Sequence, residues 1–296
     1  MRKPIRSISE LHKRQHEIDV QFRNYRLSNL GRHSVSPQLA TQLELRSAKN
    51  LNAANFISRI DFATDLNSHL KSTLKDSQIE NLFFVTLANA EHSMAATEAA
   101  NVDVKSMMTW ISSTLAETNY VGMIEPAYYP KASCVPGGNR PWMSWHVHLL
   151  VWGIDLAEIT KLQEQTNQKH MAFIPGTIVF HFRYITRKKV TGYVAYMCKS
   201  PVSEHNLYPF KEETVDMSTG EILTTVTGKW RQRKRAIRMS GLAKALTALE
   251  PQTIKSLCVA NGEGKRIKKR AIRSARWSLR QQERSRDMEL ERAILG

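Results

Sequence analysis

Between Asn81 and Ser200 the chain alternates short apolar, β-rich runs with stretches of helical period, and this succession limits the fold more than any other feature. NLFFVTLAN (81–89), NYVGMIEPAYYP (119–130), WMSWHVHLLVWG (142–153) and GTIVFHFRYIT (176–186) read as strands, because β-branched and aromatic residues crowd into runs too short for helices. Between the first two lies a helical stretch from Ala95 to Glu117, carrying Val102, Met107, Met108, Ile111 and Leu115. Asp155 caps a predicted helix running to Lys169, and VTGYVAYMCKS (190–200) reads as a short final helix. The order β-α-β-β-α-β-α predicts an α+β domain. Its first six elements match the split arrangement of a ferredoxin-like (RRM-like) antiparallel sheet.

That core occupies residues 81–205, between an N-terminal helical region (1–80) and a basic, mostly helical C-terminal region (206–296). In the first region, residues 7–27 and 36–60 read as helices opening on Ser, with a break bracketed by Gly31 and Pro37. No chemistry is legible there. Beyond Pro201, NLYPFKEETVDMSTGE (206–221) reads as a loop, followed by basic helical patterning with Leu242, Leu246 and Leu249 as an apolar stripe.

The formal net charge is +16, and the segment from Lys229 to the C-terminus holds nineteen Lys/Arg against six Asp/Glu. A polyanionic partner is the natural expectation, since each cation placed on a phosphate releases counterions. Within that segment Lys229, Arg231, Arg233, Lys234 and Arg235, and then Lys268, Lys269 and Arg270, form the densest runs and are the candidate DNA contacts. The alternative is a solvated basic tail. No apolar run is long enough for a membrane span, and no apolar core follows the basic N-terminus as in a secretory signal. Cys134, Cys198 and Cys258 are scattered and odd in number, which argues against a disulfide framework or a structural zinc site. A cytoplasmic protein is expected.

Two short patterns carry chemistry. His146 and His148 flank Val147 on the third strand, where alternation turns both imidazoles to one face. Glu125 sits in the apolar run VGMIEPAYY, where a carboxylate needs a counter-charge or a metal. If the second and third strands pair, Glu125 faces the histidines. Two imidazoles and one carboxylate then leave positions open for water and phosphate oxygens, which suits Mg²⁺ or Mn²⁺. The other reading is two histidines on a half-buried strand, with the carboxylate at the surface. On the last helix Tyr193, Tyr196 and Lys199 recur at intervals of three, and a tyrosine can act as a covalent nucleophile when cations assist it. An isolated pair of this kind is more often an ordinary amphipathic helix.

Taken together and in this order, FFVTL (83–87), WHVHLLV (145–151) and GYVAYMCK (192–199) resemble the motifs of the HUH (His-hydrophobe-His) endonuclease superfamily, in its replication-initiator branch. The resemblance covers residues 81–200 and implies a rolling-circle initiator of a plasmid or phage. It implies His146, His148 and Glu125 as metal ligands, Tyr196 as nucleophile and Lys199 as its support. It further implies single-stranded or cruciform origin DNA as substrate, with a host helicase and DNA polymerase as partners. Two-tyrosine members space their tyrosines four apart, whereas Tyr193 and Tyr196 are three apart, so a catalytic Tyr193 departs from the pattern. A transposase or relaxase using the same chemistry is one alternative. Another is a non-catalytic nucleic-acid-binding sheet that stacks bases on Phe83, Trp145 and Trp152.

Overall fold

The computed structural model describes residues 5–44, 48, 50–76, 79, 81–215, 217–219 and 221–295. The N-terminal region contributes four helices: α1 (Ile8–Leu27), α2 (Asn29–Ser34), α3 (Pro37–Gln42) and α4 (Phe56–Asp76). Serines at 7, 28 and 36 cap the first three, each accepting a hydrogen bond from the backbone N–H three residues on. The helix expected over 36–60 is two helices. Asn55 interrupts it, because its side chain accepts from the backbone N–H groups of Ile57 and Ser58 and so starts α4 afresh. Residues 45–47 and 49 of that stretch lie outside the described residues.

The core elements follow: β1 (Leu82–Leu87), β2 (Ser93–Ala95), α5 (Val104–Thr114), β3 (Asn119–Tyr129), β4 (Trp142–Trp152), α6 (Leu156–Lys169), β5 (Phe180–Tyr184) and α7 (Val190–Cys198). The strand between Ser93 and Ala95 and a turn at Ala99–Asn101 shorten the helix expected from Ala95; it begins only where Asp103 caps it. Asp155 and Glu158 form a reciprocal capping box at the start of α6, as the sequence indicates.

The C-terminal region holds β6 (Ser203–Val215), β7 (Ile222–Ala236), α8 (Met239–Leu249), α9 (Ile254–Leu257), β8 (Cys258–Asn261) and α10 (Glu263–Leu295). Here the loop-and-helix expectation fails: β6 and β7 pair as a long antiparallel hairpin. High charge density hid the period of two in KWRQRKRA, and β-branched ILTTVT (222–227) belongs to the same strand. Leu242, Leu246 and Leu249 are buried on α8 as expected.

These strands build one sheet in the order β5-β1-β4-β3-β6-β7, with β2 beside β4 and β8 beside β3. Neighbours in the order β5, β1, β4, β3 pair antiparallel, and a parallel bridge at Tyr128–Glu204 attaches the hairpin. The fold is therefore α+β, a mixed, mainly antiparallel sheet flanked by helices. α5 and α6 cover one face, where Ser112 meets Tyr120 and Gln163 and Asn167 reach the Phe180 carbonyl. α7 lies on the other face, backed by α4, which also packs along α10. All three regions share one apolar core, from Leu11 and Leu66 through Val147 to Leu279. Among the described residues no helix is long and apolar enough to cross a membrane, and all three cysteines are free.

Candidate metal and tyrosine site

The register of β3 on β4 sets Glu125 directly opposite His146 and Met123 opposite His148, while Thr86 of β1 stands opposite His148 from the other side. Paired residues share a face, so Thr86, Glu125, His146 and His148 all point toward α7. Gly122 lets the strands run this close: a Cβ there would lie 2.0 Å from the His148 carbonyl oxygen. Glu125 and His148 are both 5% exposed.

The donor atoms converge. Glu125 Oε1 lies 3.2 Å from His148 Nε2 and 3.5 Å from His146 Nε2, and the two Nε2 atoms are 3.2 Å apart. One ligand atom from each residue falls within 4.8 Å of the others, so this group can hold a metal ion. Tautomer chemistry fits that use. His146 Nδ1 lies 3.3 Å from the Ser144 carbonyl oxygen, a pure acceptor, so Nδ1 carries the proton and Nε2 keeps its lone pair. His148 Nδ1 is 2.8 Å from the Thr86 hydroxyl, which accepts from it in the tautomer that leaves Nε2 free for a metal. Burial pushes the His148 imidazole down to about 3, with the positive charge of Lys199 adding to the effect, so it is neutral near pH 7.

Lys199 completes the charge balance. Its Nζ donates to Glu125 Oε1 at 2.7 Å. Burial alone would raise the Glu125 carboxyl, but the positive charge of Lys199 holds it well below the usual range. Burial alone would likewise lower Lys199; the Glu125 carboxylate outweighs it and leaves the ammonium raised. Lys199 does not continue the face of α7. The helix ends at Cys198, and Lys199 turns extended, which swings its side chain under the helix to Glu125.

Tyr196 stands over this group. Its ring is 5.0 Å from the His148 ring, Lys199 Nζ lies 4.0 Å from its centroid, and Lys234 Nζ of β7 donates to its hydroxyl at 3.4 Å. Tyr193 instead packs on Phe84 at 4.4 Å and lines a neighbouring groove of about 740 Å³ with Arg6, Arg183, Lys188 and Lys189. Tyr196 and His148 line both that groove and the cleft over the triad.

The candidate DNA contacts divide. Lys234 enters the site, with Gln232 beside it bonded to His205. Lys229, Arg231, Arg233 and Arg235 alternate to the opposite face of β7. Arg235 is committed to the buried Glu204, and Arg231 lies over the Phe210 ring. On α10, Lys268 bends to the Cys258 carbonyl, while Lys269 and Arg270 face solvent. Phe83, Trp145 and Trp152 are at most 1% exposed, so none of them can stack a base.

Three contributors carried little sequence signal. Thr86 is a lone hydroxyl in an apolar strand, visible only once its strand partner is known. Lys234 becomes predictable when KWRQRKRA is read with period two. Arg59 of α4 had no signal: it is buried, its Nη1 donates to the Lys199 carbonyl at 2.9 Å, and it fixes the end of α7. No protein-family model, curated protein or solved structure matches the chain.

Proposed function

We propose that the protein nicks one strand of DNA through a covalent 5′-phosphotyrosine and rejoins ends by the reverse step, as a rolling-circle replication initiator does. The carrying observation is the convergence of Tyr196, Lys199 and Lys234 on a Glu125–His146–His148 group. The strand order β5-β1-β4-β3, with crossovers through α5 and α6, supports a ferredoxin-like core of the kind HUH endonucleases use.

In this proposal the three ligands hold Mg²⁺ or Mn²⁺, which supplies polarisation of a phosphate's non-bridging oxygens. Tyr196 gives up its phenolic proton to water, and its oxygen forms a bond to phosphorus as the bond to the 3′-oxygen breaks. The 3′-oxygen takes up a proton and leaves as a free hydroxyl. Lys199 and Lys234 stabilise negative charge as it develops on the phenol oxygen. Arg6, Arg183, Lys188 and Lys189 give the strand a cationic path to the tyrosine.

The test is incubation of the protein with origin-bearing single-stranded DNA and Mn²⁺, read on a denaturing gel. A denaturation-resistant adduct is expected, lost with EDTA and in Tyr196→Phe, while the variant still binds DNA. An adduct undiminished in Tyr196→Phe would refute the assignment.

A further inference from the structure

A second basic surface lies away from this site. It is a groove of about 1210 Å³ between α10, α9, β8 and α4, and it shares no lining residue with the Glu125 cleft. α10 buries Ile267, Ala271, Ala275 and Leu279 inward and so turns a continuous stripe outward. Lys265, Lys269, Arg273, Arg276 and Arg280 follow one another along that stripe, and Lys255 faces them from α9. Among the described residues none of these six is in an ion pair, and the groove holds a single acid, Asp65.

Charge alone would suit any polyanion. The second observation is Trp277, which lines the same groove one turn beyond Arg273 and is 66% exposed. Among the described residues the other tryptophans are not among the exposed large apolar side chains. A large indole left in water beside a row of unpaired cations matches the chemistry of an unstacked base next to its phosphates. A duplex hides its base faces and would leave the indole without a partner. The cations span about 22 Å along the helix, at 1.5 Å per residue, so the row tracks a strand rather than a single phosphate.

We infer that the α10 groove is a second binding site for single-stranded nucleic acid, with a base stacked on Trp277 and the backbone along Lys265–Arg280. The choice of DNA over RNA rests on the nicking proposal; the groove itself does not. In such an arrangement the strand is anchored apart from the tyrosine, so the parental strand stays attached while its end is exchanged.

Binding of a fluorescein-labelled oligo(dT) and of a duplex of equal length is measured by anisotropy, in EDTA and on a Tyr196→Phe background, so that cleavage plays no part. Trp277→Ala should weaken oligo(dT) binding by about tenfold, Trp277→Phe should restore most of it, and duplex affinity should not move. Trp277→Ala should leave the salt dependence unchanged, whereas Lys269→Gln with Arg273→Gln should reduce its log–log slope by about 1.4. Oligo(dT) affinity unaffected by Trp277→Ala, or an equal loss on the duplex, would overturn the inference. A protein that forms no adduct yet shows the Trp277-dependent binding would count against the nicking proposal and in favour of this one.

Discussion

Strand β4 presents two buried faces with different tasks. Trp145, Val147, Leu149 and Val151 point to α5 and α6 and are fully buried among apolar neighbours. His146 and His148, one residue out of phase, point to α7 and meet Glu125, Thr86 and Tyr196. Burial does not separate the two faces. What separates them is that Glu125 Oε1, the Thr86 hydroxyl and the ring nitrogens of both histidines have polar partners on the α7 side, and that the Glu125 carboxylate is offset by the Lys199 ammonium. The same alternation that packs a core on one side therefore delivers, at fixed spacing on the other, side chains that can hold a metal ion.

The largest test exchanges adjacent residues. His148→Ala should abolish stabilisation by Mn²⁺ and reduce adduct formation on the order of a thousandfold. Its neighbour Val147→Ala should do the opposite, costing about 2 kcal/mol of stability while the folded fraction keeps its metal response. Thermal melts with and without Mn²⁺, beside the gel assay, read both. If the two variants behave alike, the division of faces is wrong.

Next comes the charge balance. Lys199→Met leaves the buried Glu125 carboxylate without its resident cation and should destabilise the metal-free protein by about 3 kcal/mol. Because a divalent cation can take that place, Mn²⁺ should raise the melting temperature more in the variant than in the wild type. An unchanged metal-free melt would mean that Glu125 is not held charged.

The two faces also differ in legibility. Strands β1, β3, β4 and β5 and the helices at 156–169 and 190–198 follow from period and capping, and the Glu125–His146–His148 group follows from alternation once the second and third strands are paired. The failures have two causes. In KWRQRKRA the repulsive charges and the strand period occupy the same residues, so composition hides the strand and with it the approach of Lys234 to the Tyr196 hydroxyl. Arg59 acts across more than a hundred residues of chain on the end of α7, and no local pattern encodes such a contact.

A smaller effect concerns protons. Burial pushes both His148 and His205 down to about 3, from an ordinary value of 6.5. Between those values the unfolded chain takes up protons that the folded chain refuses, so stability is greatest above 6.5 and falls as pH drops toward 3. Each such group contributes a slope of at most about 1.4 kcal/mol per pH unit. His205→Gln should remove one share of that slope in urea titrations run with EDTA between pH 6.5 and 5. A slope unchanged by the substitution would show that His205 is protonated as readily in the folded state.

The smallest expected effect sharpens the contrast most, because it alters no ligand. Thr86 stands opposite His148 and meets its Nδ1 at 2.8 Å. Thr86→Val keeps the shape of the side chain and removes only the hydroxyl. In the metal-binding tautomer that hydroxyl accepts from His148 Nδ1–H; without it the tautomer with the proton on Nε2, which has no Nε2 lone pair to give the metal, becomes accessible. Metal affinity should fall about tenfold, while adduct formation at saturating Mn²⁺ returns close to the wild-type level. That split separates a residue that orients a ligand from one that is a ligand, since His148→Ala should not recover at any metal concentration. A Thr86→Val variant that fails to recover would place the hydroxyl in the reaction itself.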